Sequence, residues 1–405
     1  MSVPSSTGDQ TALDYPFANP SALEPSPEWA RLRGECPVAR IRLASGDEAV
    51  LLTRHEDVRR VIYDPRFARQ LDAEGAAKIS DDEDGGLFGA ANSIASGAGH
   101  QRWRRLVGRY FTARRMLAIR PRIEEMAAQL LDRMIENGSP ADLAEAYGFP
   151  LPVWVIGMLL GVPEEDRHRF RHWSDTMLNV SRFTQDEINA AQADYFGYLT
   201  AHVAALRENP GDDLLSTLVT APENGERLSE AEVVLTAQGL LIAGHEATSN
   251  MIGKLFAMLL SERDRWEQLL VDPAKRRTAI EEALRFDVNP GIGIPRYVSE
   301  DVQLTDRVLP AGTTVICSMG AANRDEDVFP GADVMDLGRS PNPHVAFGGG
   351  QYSCLGQSLA RIEMEISLEL FLSRLPQLEL AVPAAELKAH EGLLVGGLES
   401  VWIRW

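Results

Sequence analysis

Cysteine is scarce in this chain: three in 405 residues, at Cys36, Cys317 and Cys354. So few thiols, odd in number, exclude a disulfide scaffold and fit a reducing compartment. Long apolar runs are missing as well, and the opening MSVPSSTGDQ lacks the apolar core of a signal peptide. The expectation is a soluble, cytoplasmic protein. Basic charge is short: 40 Lys and Arg face 59 Asp and Glu, a net charge of −19. That field opposes a global role on nucleic acid. A GxSxG elbow and a paired-histidine zinc motif are both absent, which removes support for a hydrolase.

What is present is apolar mass, 44% of the residues, enough for one large core. No linker-like stretch interrupts the chain after its start. It reads as a flexible segment over 1–20 followed by a single domain over 21–405. VARIRLASGDEAVLLTR alternates about SGDE, predicting two strands and a turn. ISDDEDGGLFGAANSIASGAG, acidic and glycine-rich, predicts a mobile loop. Beyond it the pattern is mostly helical. Ser229 and Glu232 form a capping-box pair at the head of a stretch far longer than an average helix, which should be central. AIEEALRF predicts another helix, followed by proline- and glycine-broken chain with a few short strands. A last helix follows Cys354. The fold class is mainly α with a minor β region.

The chemistry concentrates in FGGGQYSCLG, Phe347 to Gly356. A thiolate near neutral pH needs a metal or donors at a helix N-terminus, and a helix is predicted just after Cys354. Gly348, Gly349 and Gly350 permit positive φ and a close approach to something flat, and Phe347 can cover the sulfur. Zinc fits badly, because no second cysteine or histidine stands at ligand spacing. A lone thiolate suits haem iron, whose in-plane ligands come from the porphyrin. A buried cysteine beside a glycine turn is the bland alternative for this segment alone.

The segment resembles the haem-binding signature F-G-x-G-x-H-x-C-x-G of the cytochrome P450 family everywhere except the histidine, which is Tyr352 here. AGHEAT in the long helix, EALR (Glu282 to Arg285) and NRDEDVFPGADVMDLGRSPNPHVAFGGG resemble the family in the same order. The resemblance implies a cytochrome P450 fold of the soluble bacterial type, with a long helix over haem b and Cys354 as proximal iron ligand. It further implies O2 activation, electrons from NAD(P)H through redox partners, and oxidation of a secondary metabolite such as a polyketide, a macrolide or a cyclic dipeptide. By the same likeness His100, Arg104 and Arg296 bind the haem propionates. Tyr352 substitutes for a histidine donor, and Phe347, Gly348 and Gly356 belong to the haem loop. Glu282 and Arg285 become a structural ion pair, while the usual third partner, an arginine, is missing at the expected place, Val334.

Arg102, Arg105 and Arg109 lie at helical spacing on the side opposite Arg104 and suit docking of an acidic, ferredoxin-type donor; a solvated face is the alternative. Ala243 and Gly244 are small for close approach to haem and room for oxygen; a mid-helix glycine costs about 1 kcal/mol relative to alanine. The family follows these with an acid and a threonine that relay protons. Here they are Glu246 and Ala247, with Thr248 one place late, about 100° around the helix. Either a substrate hydroxyl or water completes the relay and the enzyme hydroxylates, or the chemistry is radical coupling of aromatic or cyclic dipeptide substrates. A haem binder without turnover is a third reading. Pocket walls are expected from Leu87 to Ile94, from Leu240, and from Gly291, Ile292 and Ile294.

Overall fold

The computed structural model describes the chain apart from residues 1–10, 70–72, 74, 80–93, 95–96, 179–182, 222–226, 289–290, 306 and 391–394. Chain order begins β1 (Leu13–Asp14), α1 (Pro27–Glu35), β2 (Val38–Arg42), β3 (Glu48–Leu52), α2 (His55–Tyr63) and β4 (Phe67–Ala68). Next come α3 (Gly97–Val107), α4 (Ala113–Asn137), β5 (Ala141–Asp142), α5 (Pro150–Leu159), α6 (Phe170–Met177), α7 (Gln185–Glu208) and α8 (Leu214–Val219). The long α9 (Glu230–Leu260) leads to α10 (Arg263–Val271) and α11 (Lys275–Phe286). Then follow β6 (Ile294–Val298), β7 (Val302–Gln303), β8 (Val308–Leu309), β9 (Thr314–Cys317) and α12 (Met319–Ala322). The chain closes with α13 (Gln357–Arg374), β10 (Glu379–Leu380) and β11 (Trp402–Arg404).

Helix α9 starts where its sequence says it should. Ser229 Oγ accepts from the Glu232 N–H at 3.3 Å, and Glu232 Oε2 accepts from the Ser229 N–H at 2.8 Å. This reciprocal cap satisfies two donors that a helix start leaves open. The helix then runs 31 residues, buried along most of its length. Its apolar residues serve two cores, one with α4, α11 and α13 and one with α5, α6 and α7.

The strands collect beside this helical body in a sheet ordered β1-β2-β3-β9-β6-β4. β2 and β3 pair antiparallel, Val38 opposite Leu52 and Arg42 opposite Glu48, as their alternation predicts. Strand β6 carries Arg296 into the sheet opposite Val315 of β9. Within the expected flexible start, residues 11–20 are described. β1 pairs with β2, and the Tyr15 hydroxyl donates to the Ile292 carbonyl at 2.9 Å. Most of the acidic, glycine-rich loop lies outside the described residues.

A correction concerns the ion pair on α11. Arg285 donates to Glu282 at 2.7 and 2.8 Å, both side chains wholly buried. It also donates to the carbonyls of Asn323 and Ala332 at 2.8 and 2.9 Å. The third cation missing at Val334 is Arg339, whose Nε lies 3.1 Å from each Glu282 oxygen. Val334 contributes its backbone instead, its carbonyl accepting from both arginines at 3.4 Å. The segment before the cysteine loop is thereby tied to α11.

Removing one member of a buried ion cluster strands the other charge, at a cost of roughly 3–5 kcal/mol. Arg285→Ala should destabilise the protein by that order in urea unfolding. Arg339→Ala should cost less, because Arg285 still neutralises Glu282. Equal and small effects would show that the cluster contributes little.

Candidate active site

The cysteine loop is shaped by backbone. Gly348 and Gly350 take φ of +65° and +62°, which side chains rarely adopt. Close approach here is to protein: a Cβ on Gly350 would stand 2.7 Å from the Ile62 carbonyl oxygen, and one on Gly349 would stand 2.6 Å from the Tyr63 ring. Gly349 and Gly350 thus admit α2 against the loop. The Cys354 N–H donates to the Phe347 carbonyl at 2.9 Å, closing the turn. Gly356 caps α13, and the N–H groups of Gly356 and Gln357 point at the cysteine sulfur.

Cys354 is exposed, yet burial raises its thiol pKa. The sulfur thus has open space on one side and dense protein around the rest. The Gly356 N–H, then Arg104, Arg361 and the Gln357 N–H, act in the opposite direction and favour the thiolate.

Cations gather around this loop. Arg104 on α3 donates to the Ser353 carbonyl at 2.5 Å and to its hydroxyl at 3.0 Å. His100, one turn earlier and buried, directs Nδ1 at the Ile94 carbonyl (3.1 Å) and Nε2 at the Gln351 carbonyl (3.3 Å). Only the doubly protonated ring satisfies both, but burial is the larger effect and lowers its pKa. Arg296 donates to the Pro295 carbonyl at 2.8 Å and stands 5.2 Å from the Tyr352 ring centre. Arg69, which the sequence reading did not single out, lies 5.9 Å from the same ring. The Tyr352 and His100 ring centres are 4.7 Å apart. Burial is the main cause lowering the pKa of all three arginines, and Arg69 adds a like-charge effect on Arg296. Among the described residues no carboxylate pairs with any of the four. His100, Arg104, Gly350 and Gln351 also line a cleft of about 280 Å³.

Burying positive charge without a counter-charge is costly, so this arrangement calls for an anionic guest. One enclosed thiol with donors aimed at it, beside cations lacking acids, fits a metalloporphyrin: a thiolate for the metal and cations for two carboxylates.

On α9, Gly239, Ala243 and Ala247 form an exposed stripe at four-residue spacing on an otherwise buried helix. Ala243 is thus exposed. At Gly244 a Cβ would lie 2.5 Å from Ile156 Cδ1, so the glycine serves packing against α5. Glu246 is buried and accepts from Asn250 Nδ2 at 3.1 Å. Burial raises its pKa to about 7, with the Asp175 charge adding to the rise. Its neighbour His245 sits between the Leu241 carbonyl, 2.6 Å from Nδ1, and Ser174 Oγ, 2.7 Å from Nε2. Burial lowers the His245 pKa to about 4, leaving the ring neutral. Thr248 is buried off the stripe, so the hydroxyl one place late is indeed turned away from the exposed line.

The expected wall residues have the following packing partners. Ile292 packs with Tyr15 and Ile41 in the core beside the sheet, and Leu240 packs in the α5–α7 core. Ile294 does reach the loop, its Cδ1 lying 3.6 Å from a Cβ placed on Gly348. Gly291 takes φ of +90° before β6, and Leu87 lies outside the described residues. The basic helix face is divided as well. Arg102 bonds the Glu232 carboxylate and donates to the Arg227 carbonyl at 3.2 Å, while Arg105 and Arg109 are exposed. Arg109 lies on a separate 3-10 turn, Gly108–Tyr110.

Comparison with known proteins bears on the whole chain. The family model described as Cytochrome P450 matches residues 277–383. Nocardicin C N-oxygenase of Nocardia uniformis subsp. tsuyamanensis is 40% identical, the match covering 96% of this chain and 98% of the relative. The crystal structure of SgvP, involved in a tailoring step of griseoviridin, superposes with a TM-score of 0.92 at 39% identity, covering 98% of this chain and all of that one. A cytochrome P450mel with biaryl coupling reactivity gives 0.91 at 35% identity, with the same coverages.

The raised pKa of Glu246 has a definite sign in stability. Folding binds its proton more tightly, so the contribution is complete below about 4.5 and lost as pH rises through about 7. Glu246→Gln should therefore gain on the parent between pH 5 and 8, by roughly 3 kcal/mol at full ionisation. Urea midpoints at both pH values test this; a parent–variant difference independent of pH would refute it.

Proposed function

The chain belongs to the cytochrome P450 family, and from that premise we propose that it oxygenates a secondary metabolite at a haem iron held by Cys354. The observation that carries this reading is the Cys354 thiol, faced by the Gly356 and Gln357 N–H groups and ringed by cations that no carboxylate among the described residues pairs. Bound haem supplies the dioxygen chemistry, with electrons from NAD(P)H delivered through redox partners. Haem carboxylates would neutralise Arg69, Arg104 and Arg296, and would favour the protonated form of His100. Tyr352, its ring among them, supplies a phenol where a histidine is usual.

Glu246 holds a proton near neutral pH, which suits a general acid at the distal side. Ala247, on the exposed stripe of α9, has no hydroxyl to carry that proton onward. A substrate hydroxyl or a water in that place completes the path, and substrate oxygenation remains the outcome. The alternative is radical coupling of aromatic groups, favoured by the missing hydroxyl and by the likeness to a coupling P450. The guest pocket lies along Ala243 and Ala247 and toward Ile294, beside the cysteine loop. Three free thiols suit a reducing, cytoplasmic setting.

An acidic, ferredoxin-type donor docks through Arg105 and Arg109, joined by exposed Arg114 and Arg115 at the head of α4. Arg102, on the same face, is also bonded to Glu232.

Ala247→Thr should raise the share of reducing equivalents that ends in oxidised metabolite; unchanged coupling would favour the radical reading or a water already in place. Reversing charge at Arg105 and Arg109 together should slow reduction several-fold at low salt, with the effect shrinking as salt rises. Equal reduction rates at low salt would reject the patch.

A further inference from the structure

Two neighbouring carboxylates on α11 face different partners. Glu282 turns to Arg285 and Arg339, while Glu281 turns to the cysteine loop. Glu281 accepts from Arg361 of α13 through Nε at 2.6 Å and Nη2 at 2.9 Å, and from His344 Nε2 at 2.9 Å. The tautomer of His344 is fixed by backbone: the Ala346 N–H points at Nδ1 from 3.3 Å, leaving the hydrogen on Nε2 for Glu281. Arg361 lies over the Phe347 ring, its Cζ 4.4 Å from the centre, and the His344 ring centre is 6.2 Å away. Phe347 in turn accepts the Cys354 N–H through its carbonyl.

Each contact restrains the next. A bidentate carboxylate fixes the plane of a guanidinium, and a guanidinium over an aromatic face restrains both groups. We propose that Glu281 and Arg361 are positioning residues for the proximal thiolate: Glu281 locks Arg361 over Phe347, and the balance of their two charges sets the reduction potential of the iron that Cys354 holds. This rests on the assignment of Cys354 as iron ligand. The Arg361 charge reaches the sulfur, where it favours the thiolate. The carboxylate is firmly ionised, its pKa brought to about 2 by the His344 and Arg361 hydrogen bonds against opposing burial.

The sign of each effect follows from Coulomb's law. Reduction adds negative charge at the iron–sulfur unit, so a nearby cation favours it and a nearby anion opposes it. Midpoint potentials of the haem-loaded protein therefore test the pair. Glu281→Gln keeps the shape and removes the anion, so its potential should rise above the parent's. Arg361→Met removes the cation, so its potential should fall, while Arg361→Lys should lie between parent and Arg361→Met. A purely structural pair would shift both charge-removing variants the same way or leave both unmoved, and either result overturns the proposal. Should Arg361→Met fail to retain haem, the sign for Glu281→Gln decides alone. The carbon monoxide spectrum of the reduced parent separates the two levels. A parent without the thiolate band would sink the ligand assignment itself, and the proposal with it. A parent with the band, but variants without opposite shifts, would sink only the tuning.

Discussion

A guanidinium taken out of water needs a negative partner, and among the described residues no carboxylate pairs with the three beside the cysteine loop. Arg104 and Arg296 donate to carbonyls and one hydroxyl, and Arg69 joins Arg296 at the Tyr352 ring. The rest of the architecture makes this tolerable. Strand β6 fixes Arg296 by pairing with β9, α3 fixes His100 and Arg104 one turn apart, and the loop between β4 and α3 begins with Arg69. An anion-shaped demand is thus held on rigid elements, beside a thiol facing donors at the head of α13. Fold and cofactor chemistry meet in that one imbalance of charge.

Helix α11 does the opposite with its own charges. Glu282 is buried but fully compensated, by Arg285, Arg339 and the Asp336 N–H. Glu281, one residue earlier, is compensated by His344 and Arg361. One turn of helix therefore anchors both the segment leading to the cysteine loop and the helix leaving it. The loop is clamped from two sides by ionic contacts that neither side chain could make from the adjacent position, since successive residues differ by about 100° in direction.

The same angular rule explains α9. Gly239, Ala243 and Ala247 share one exposed line, Gly244 turns into Ile156, and Thr248 is buried. A glycine and an alanine, adjacent and both small, therefore have unrelated reasons: one admits a neighbouring helix, the other leaves space. Glu246, next to that line, remains a shielded acid whose proton is retained near neutral pH.

Much of this was legible in the order of residues. Ser229 and Glu232 announced the head of α9, alternation about SGDE announced β2 and β3, and FGGGQYSCLG announced the cysteine site, because each signal is local and short-range. Glu246, Ala247 and Thr248 were readable as an angular displacement for the same reason. Sequence could not reach Arg69, Arg339 or the set of Glu281, His344 and Arg361, whose partners are distant along the chain and meet only when α11, α13 and the sheet pack. Nor could it tell that Gly349 and Gly350 admit α2, that Ile292 belongs to the sheet core, or that Glu232 claims Arg102. Local stereochemistry fixes turns, caps and periodicity; which charge neutralises which, and which small residue faces open space, depends on the tertiary packing.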